Sequence, residues 1–244
     1  MKPMAFTERL RGISGVQVKE RESLAPYTSF RIGGPAEWFV LVRSLNALVD
    51  VLRLAREEGV GVFVLGAGTN LLISDKGVKG LVLKLEGVFR TYRIQGTEII
   101  SGASVPLAWL LDDAQERGLS GLEFAAGIPG TVGGAVVTNA GAFNGNIGEI
   151  IQGLRLVNKE GEYLHLSQEK FSFSYRHTSL QEGSIITEVT LALKRRKRED
   201  IREEASRNLR KRGENQPTSF SAGCIFKNPS ALAAGQLIES LGLK

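Results

Sequence analysis

Val60-Gly61-Val62-Phe63-Val64-Leu65-Gly66-Ala67-Gly68-Thr69-Asn70 is an apolar run that flows straight into a glycine loop. The part from Val60 to Leu65 predicts a strand. Upstream, Ala36-Glu37-Trp38-Phe39-Val40-Leu41-Val42 predicts another. Between them, Ser44 stands before a helix over Leu45 to Glu58, with apolar residues at 45, 48, 49, 52 and 55, and Gly59 ends it. Strand, helix and strand in this order make a βαβ unit with parallel strands. Successive N–H groups in a turn like Gly66–Asn70 form a concavity for an anion. The third glycine and following helix of a dinucleotide fingerprint are missing, as is the Gly-Lys-Ser/Thr of a phosphate loop. Alone, the loop reads equally as a structural turn or a ligand loop.

About sixty residues on lies a second cluster, Ala125-Ala126-Gly127-Ile128-Pro129-Gly130-Thr131-Val132-Gly133-Gly134-Ala135. It continues through Asn139-Ala140-Gly141-Ala142-Phe143 with almost no charge. Small residues at this density cannot form much core by themselves, but they can line a groove for a large phosphate-bearing ligand. A plain glycine-rich loop is the alternative. Two such loops without a dinucleotide fingerprint favour a flavin, or another phosphate-bearing cofactor, on a fold of non-Rossmann type.

Short strands are expected at Leu71–Ser74, Gly80–Leu85, Thr91–Gln95, Glu98–Ser101, Gly153–Asn158, Tyr163–Leu166 and Ser184–Leu193. Helices are expected over Pro106–Arg117, Ile201–Arg212 and Ala231–Leu241. The class is α+β, with a βαβ start and an antiparallel-rich middle.

Glycine makes up 29 of 244 residues, well above the usual ~7%, which fits tight turns and close backbone approach to a ligand. No apolar run approaches the ~20 residues that span a bilayer. The N-terminus lacks the apolar core of a signal peptide, and the single cysteine cannot form an internal disulfide. These features lead to the expectation of a cytoplasmic protein without a membrane partner. The net charge of +5 is local: Lys194 to Arg212 carries ten Lys/Arg and four Asp/Glu. A nucleic-acid surface is one reading of that run, but no aromatic residues are interleaved for stacking. Glu199/Arg202 and Glu203/Arg207 stand at spacings that allow pairing, so a solvated helix is the preferred reading. His165 and His177 are not spaced as metal ligands, and no metal centre is expected.

The stretch Leu24-Ala25-Pro26-Tyr27-Thr28-Ser29-Phe30-Arg31-Ile32-Gly33-Gly34-Pro35-Ala36 resembles the opening motif of the UDP-N-acetylenolpyruvoylglucosamine reductases. The two glycine loops, Phe173-Ser174-Tyr175-Arg176 and Ser221-Ala222-Gly223-Cys224-Ile225-Phe226-Lys227-Asn228-Pro229 resemble the later motifs, in the family's order. The likeness covers nearly the whole chain and is closest to the family's shorter form. It implies a two-part FAD-binding fold of the vanillyl-alcohol-oxidase type, followed by a partial α+β substrate-binding domain. The expected division is 1–85 and 86–198 for the two FAD-binding parts and 199–244 for the start of the third domain. It implies non-covalent FAD held by Gly66, Gly68, Thr69, Asn70, Gly127, Ile128, Pro129, Thr131, Gly133, Gly134, Asn139, Gly141 and Ala142. NADPH is the implied reductant and UDP-N-acetylglucosamine enolpyruvate the implied substrate, reduced to UDP-N-acetylmuramate for peptidoglycan; a monomer is expected.

The chemistry needs a fixed cation where an enolate charge develops and a proton donor for the adjacent carbon. The resemblance implies that Arg176 is the cation; its guanidinium stays charged and can grip a carboxylate in bidentate fashion. Cys224 falls where most of the family carries a proton-donating serine. A thiol, with a reference pKa of ~8.5, is a sensible donor, and a small packing residue is the alternative. Tyr175, Lys227 and Asn228 match positions near the substrate, where an ammonium and an amide suit a pyrophosphate and uridine. The family's C-terminal glutamate, in a Leu-Glu-Pro-Glu-like motif, has no counterpart before Lys244, which leads to the expectation of a fragment or a shortened protein. Two other readings stand beside this one: another flavin-dependent oxidase of the same fold, and a non-catalytic nucleotide- or RNA-binding protein using residues 194–212.

Overall fold

The computed structural model describes residues 3–215, 219–229 and 232–243. Helix α1 (Pro3–Arg11) leads into β1 (Val16–Ser23), β2 (Pro35–Val42), α2 (Leu45–Glu57), β3 (Val62–Val64) and β4 (Val78–Leu85). These strands form one sheet in the order β1-β2-β4-β3. β1 runs antiparallel to β2, with Val16 opposite Val42 and Ser23 opposite Pro35. β2, β4 and β3 are mutually parallel, as the βαβ reading expects. The sequence of β4 is a near-continuous apolar run because both its faces are covered. Leu81, Leu83 and Leu85 join the main core, while Val82 joins a smaller cluster on the opposite face.

α2 forms where its sequence dictates. The Ser44 hydroxyl accepts the Ala47 N–H at 3.3 Å and caps the helix start. Ala47, Leu48, Val51, Leu52, Leu54 and Ala55 are buried along one stripe. Each fully buried Leu or Val contributes ~1.5–3 kcal/mol. Gly59, with φ +65°, turns the chain away.

The second half supplies β5 (Tyr92–Gln95), β6 (Glu98–Gly102), α3 (Leu107–Glu116), β7 (Leu119–Ser120), α4 (Val132–Val137), β8 (Gly141–Ala142) and β9 (Gly145–Asn146). There follow β10 (Ile151–Val157), β11 (Tyr163–Ser167), β12 (Phe173–Ser174), β13 (His177–Thr178), β14 (Ile185–Ala192), β15 (Lys194–Arg195), α5 (Arg198–Asn215) and α6 (Ala234–Ser240). A five-stranded antiparallel sheet runs β11-β10-β14-β6-β5. β7 pairs with β15, β8 with β9 and β12 with β13. One hydrophobic cluster runs unbroken from Phe6 and Trp38 through α2, the first sheet and α3 to Val189 and Leu191 of the second sheet.

Several expectations need correction. Leu71–Ser74 is irregular rather than a strand. Its backbone is turned against the opening motif, where Gly34 donates to the Ser74 carbonyl at 2.9 Å, and Ile73 is buried in the smaller cluster. α1 and β1 were not foreseen, since the charged run of β1 hides its alternation and it lies at a sheet edge. α4 was not foreseen either, and the glycine cluster does contribute to the core: Val132, Gly133, Ala135 and Val136 are buried in it. α5 is longer than expected, starting at Arg198 with Glu199 and Asp200 in its first turn, where acidic side chains suit the helix dipole. The expected pairs Glu199/Arg202 and Glu203/Arg207 do not form among the described residues, and the helix pairs outward instead. Arg202 meets Glu116 at 2.6 Å, while Arg196 approaches Glu123 and Glu204, because α5 packs on α3. The expected start of the last helix at Ala231 lies outside the described residues; the helix runs over Ala234–Ser240.

Candidate active site

Three segments distant in sequence meet at one place. Gly68 lies against the opening motif, where Ser29 donates its backbone N–H to the Gly68 carbonyl at 3.1 Å. Thr69 donates its hydroxyl to the Pro129 carbonyl at 3.2 Å, joining the first glycine loop to the second. Leu107 donates its N–H to the Gly130 carbonyl at 3.0 Å. Lys84, on β4, donates its ammonium to the Gly66 carbonyl at 2.8 Å. The carbonyls of Gly66, Gly68, Pro129 and Gly130 are therefore all tied into the protein. In a trans peptide the C=O and the following N–H point in opposite directions. The N–H groups that follow, of Ala67, Thr69, Gly130 and Thr131, are donated to no other described residue. Ala67 is exposed and Thr69, Gly130 and Thr131 are half-buried, and N–H groups left in this state fit an anion such as a pyrophosphate. Leu72, Val137 and Phe143, close to the glycine loops in sequence, and Tyr175 of the later motif are exposed large apolar side chains of a kind suited to a flat ring system. These residues fit a dinucleotide cofactor. Two hollows of about 340 and 350 Å³ lie elsewhere and share no residue with these loops.

Not every glycine here meets a ligand. A Cβ on Gly133 would stand 2.9 Å from the Ala103 Cβ, and the Gly133 N–H already donates to the Ala103 carbonyl at 2.8 Å. Its smallness is explained by packing α4 onto the chain before α3. Gly134 donates at 3.3 Å to the hydroxyl of Thr131, which caps α4. Gly127, at φ +71°, leaves room for Arg212 and Leu209 of α5.

A second set of contacts carries the catalytic candidates. β12 and β13 form a hairpin whose two-residue turn is Tyr175-Arg176, with Arg176 at φ 56°. A left-handed conformation costs a non-glycine residue ~1–2 kcal/mol. The turn is held from outside: Asn139 donates its amide to the Ser174 carbonyl and accepts the Gly148 N–H, both at 3.1 Å. Both ends of the Asn139 side chain are thus engaged with backbone, in a positioning role. Arg176 in turn donates to the Cys224 carbonyl at 3.3 Å, and Asn228 donates its N–H to the Tyr175 hydroxyl at 3.3 Å. The structure therefore brings Arg176, Tyr175, Cys224 and Asn228 together from segments some fifty residues apart. The Asn228 side-chain oxygen accepts from Ala234 at the start of α6. Cys224 and Lys227 are exposed, as are Gly141 and Asn70; Ile128 and Ala142 are half-buried.

The Cys224 segment also rests on the opening motif. Ser29 donates its hydroxyl to the Ser221 carbonyl at 2.6 Å, and the Arg31 guanidinium lies 5.6 Å from the Phe220 ring centre. Arg212 donates to the Ala126 carbonyl at 3.1 Å and lies 5.7 Å from the Phe143 ring centre. Burial pushes its guanidinium below the usual arginine range, and Cys224 acts in the opposite direction. Burial likewise pushes the Lys84 ammonium down, with Glu86 opposing. Sequence reasoning did not single out Ser29, Arg31, Lys84 or Arg212. Lys84 did leave a signal, a charge inside the apolar run Leu81–Leu85. No cluster of metal-ligating side chains occurs among the described residues.

A family model described as an FAD binding domain matches residues 36–167. The chain is similar to UDP-N-acetylenolpyruvoylglucosamine reductase 2 of Symbiobacterium thermophilum, 42% identical over 100% of this chain and 80% of that protein. It is similar also to the UDP-N-acetylenolpyruvoylglucosamine reductase of Halalkalibacterium halodurans, 39% identical over 98% of this chain and 80% of the relative. Among solved structures, the UDP-N-acetylenolpyruvylglucosamine reductase of Thermus caldophilus superposes with a TM-score of 0.84 at 38% identity, covering 94% of this chain and 81% of that one. A Physcomitrella patens BBE-like 1 variant matches with a TM-score of 0.57 at 19% identity, over 77% of this chain and 44% of its own, a likeness of fold alone. The α+β class and the two-part flavin-binding fold expected from the sequence are borne out.

Proposed function

This chain belongs to the UDP-N-acetylenolpyruvoylglucosamine reductase family, and from that premise we propose how its residues carry the reaction. The chain is an FAD-dependent oxidoreductase of peptidoglycan precursor synthesis. NADPH is its reductant and the enolpyruvyl ether of UDP-N-acetylglucosamine its substrate. The observation that carries the reading is the meeting of the two glycine loops through Thr69 and Pro129, with the N–H groups of Ala67, Thr69, Gly130 and Thr131 donated to no other described residue. Those amides would hold the cofactor's pyrophosphate non-covalently. When bound, FAD would supply the hydride chemistry between NADPH and the enolpyruvyl methylene carbon.

Arg176 binds the substrate carboxylate and stabilises the negative charge that builds there as the hydride arrives. Its left-handed turn, stapled by Asn139, sets the direction of the guanidinium. The Cys224 thiol gives its proton to the carbon next to the carboxylate, completing addition of hydride and proton across the double bond. Lys227 and Asn228 face the UDP portion, with Tyr175 beside them. Support for this arrangement comes from the Arg176–Cys224 and Tyr175–Asn228 hydrogen bonds. The division into parts 1–85, 86–198 and 199–244 belongs to the same reading; the first sheet ends at Leu85 and the strands of the second lie within 92–192. So do a monomeric state and a cytoplasmic location; no helix among the described residues is long and apolar enough to cross a membrane.

The test is optical. The purified full chain should bind FAD and absorb near 450 nm, lose that colour with NADPH, and regain it on adding the enolpyruvyl nucleotide-sugar without oxygen. A chain that cannot be loaded with FAD refutes the reading. Bleaching by NADPH without reoxidation by this substrate points instead to another flavoenzyme of the same fold.

A further inference from the structure

Lys84 interrupts the apolar run of β4, the strand covered on both sides in the first sheet. It stands opposite Leu41 of β2, on the same face as Val82. That is the face of the smaller cluster, formed by Leu24, Ala36, Phe39, Leu65, Ile73 and Val82 beneath the first glycine loop. Leu65 leaves β3 while still bonded to β4, donating its N–H to the Leu83 carbonyl at 2.8 Å, and the next residue, Gly66, meets the Lys84 ammonium. A half-buried amine is costly to keep charged, and an apolar side chain of similar length serves a purely structural role as well or better. What the amine adds is a fixed donor and a positive charge.

We propose that Lys84 is a positioning residue for the cofactor's pyrophosphate. By holding the Gly66 carbonyl inward it turns the Ala67 N–H outward, and it sets a cation under the loop that receives the phosphates. The inference rests on the reading of this groove as the FAD site. It concerns a residue that need not touch the cofactor, and it predicts an effect on phosphate-dependent affinity rather than on the fold.

The experiment titrates the deflavinated full chain with FAD and with riboflavin, which lacks both phosphates, following flavin fluorescence. Parent, Lys84→Met and Lys84→Arg are compared, and the unfolding midpoint of each is recorded. Lys84→Met should raise the FAD dissociation constant about tenfold, equivalent to ~1.4 kcal/mol. It should leave riboflavin binding within about twofold and the unfolding midpoint no lower than the parent's. Lys84→Arg, which keeps a charged donor, should restore FAD binding to within about threefold. An FAD constant for Lys84→Met within about twofold of the parent's overturns the proposal, as does equal weakening of FAD and riboflavin. If Lys84→Met does not fold, Lys84→Gln is judged by the same criteria. A parent chain that binds no FAD removes the reading of the groove, and this inference with it. A parent that binds FAD beside an unaffected variant removes Lys84 alone.

Discussion

Gly59 and Gly68 form a matched pair for testing what the first glycine loop requires. Their φ angles are +65° and +66°, so alanine suffers the same backbone strain at either position. That strain is ~1–2 kcal/mol, partly offset by ~0.4–1 kcal/mol of lost freedom in the unfolded chain. At Gly59 nothing lies within 4 Å of the added carbon. A net cost of ~1 kcal/mol lowers the unfolding midpoint of a chain this size by ~2–4 °C. At Gly68 the same carbon overlaps the Tyr27 carbonyl oxygen and stands 3.0 Å from both the Tyr27 carbonyl carbon and the Thr28 Cα. These are backbone atoms, which cannot rotate aside. The loop must shift, adding ~1–3 kcal/mol of overpacking and ~1 kcal/mol for the weakened bond from Ser29 to the Gly68 carbonyl. Gly68→Ala should therefore cost ~3–5 kcal/mol in all, or ~6–20 °C. Scanning calorimetry of the two flavin-free variants reads the difference directly, and an FAD titration should show at least a tenfold loss for Gly68→Ala alone. Equal midpoints for the two variants would refute the close-approach argument and reduce Gly68 to a turn residue.

Further outcomes follow from the catalytic set. Cys224→Ala should leave flavin bleaching by NADPH intact but slow substrate reduction by ~10²–10⁴ in stopped-flow traces, while Cys224→Ser keeps substantial activity; normal turnover in the alanine variant removes the thiol from the mechanism. Arg176→Lys keeps the charge but loses the fork, so substrate-driven reoxidation should slow ~10²–10³-fold with FAD affinity unchanged. Asn139→Ala removes both bonds that staple the Arg176 turn and should cost ~2 kcal/mol, or ~4–8 °C, with a matching fall in the substrate half-reaction. Because burial holds the folded Lys84 below its ordinary value of 10.5, the unfolded chain binds more protons in the alkaline window beneath that value. The Lys84 contribution to stability must rise with pH there. Urea unfolding of the flavin-free parent and Lys84→Met should show the difference moving in the parent's favour as pH climbs toward 10.5; a difference independent of pH contradicts the burial argument.

The parts of the fold with strong local periodicity were legible in the sequence. The α2 stripe, the Ser44 cap and the parallel β2–α2–β3 unit follow from residues close in the chain. Elements that depend on distant partners were not. The run Val-Gln-Val-Lys-Glu-Arg-Glu-Ser of β1 becomes a strand only because β2 offers it an edge. Leu71–Ser74 has a strand's composition, but its backbone is used by the opening motif. Small residues concealed α4, whose burial depends on Ala103 lying alongside. The candidate site divides in the same way. Glycine loops announce themselves by composition, while the Tyr175-Arg176 and Cys224 motifs were legible through their resemblance to the family. The side chains that hold these segments in place, Ser29, Lys84 and Asn139, reach partners 192, 18 and 35 residues away, which no local pattern records.

The hydrophobic cluster that joins the two sheets has a mechanical consequence. A cleft between separately packed lobes opens and shuts on a hinge, and part of its ligand's binding free energy is spent on closure. Here the walls of the groove grow from halves that share one continuous interior, with Leu83 of the first sheet and Leu191 of the second in the same cluster. Opening it like a jaw would mean tearing that interior apart. Access to the glycine loops therefore does not come from parting the two sheets, which the shared interior holds together.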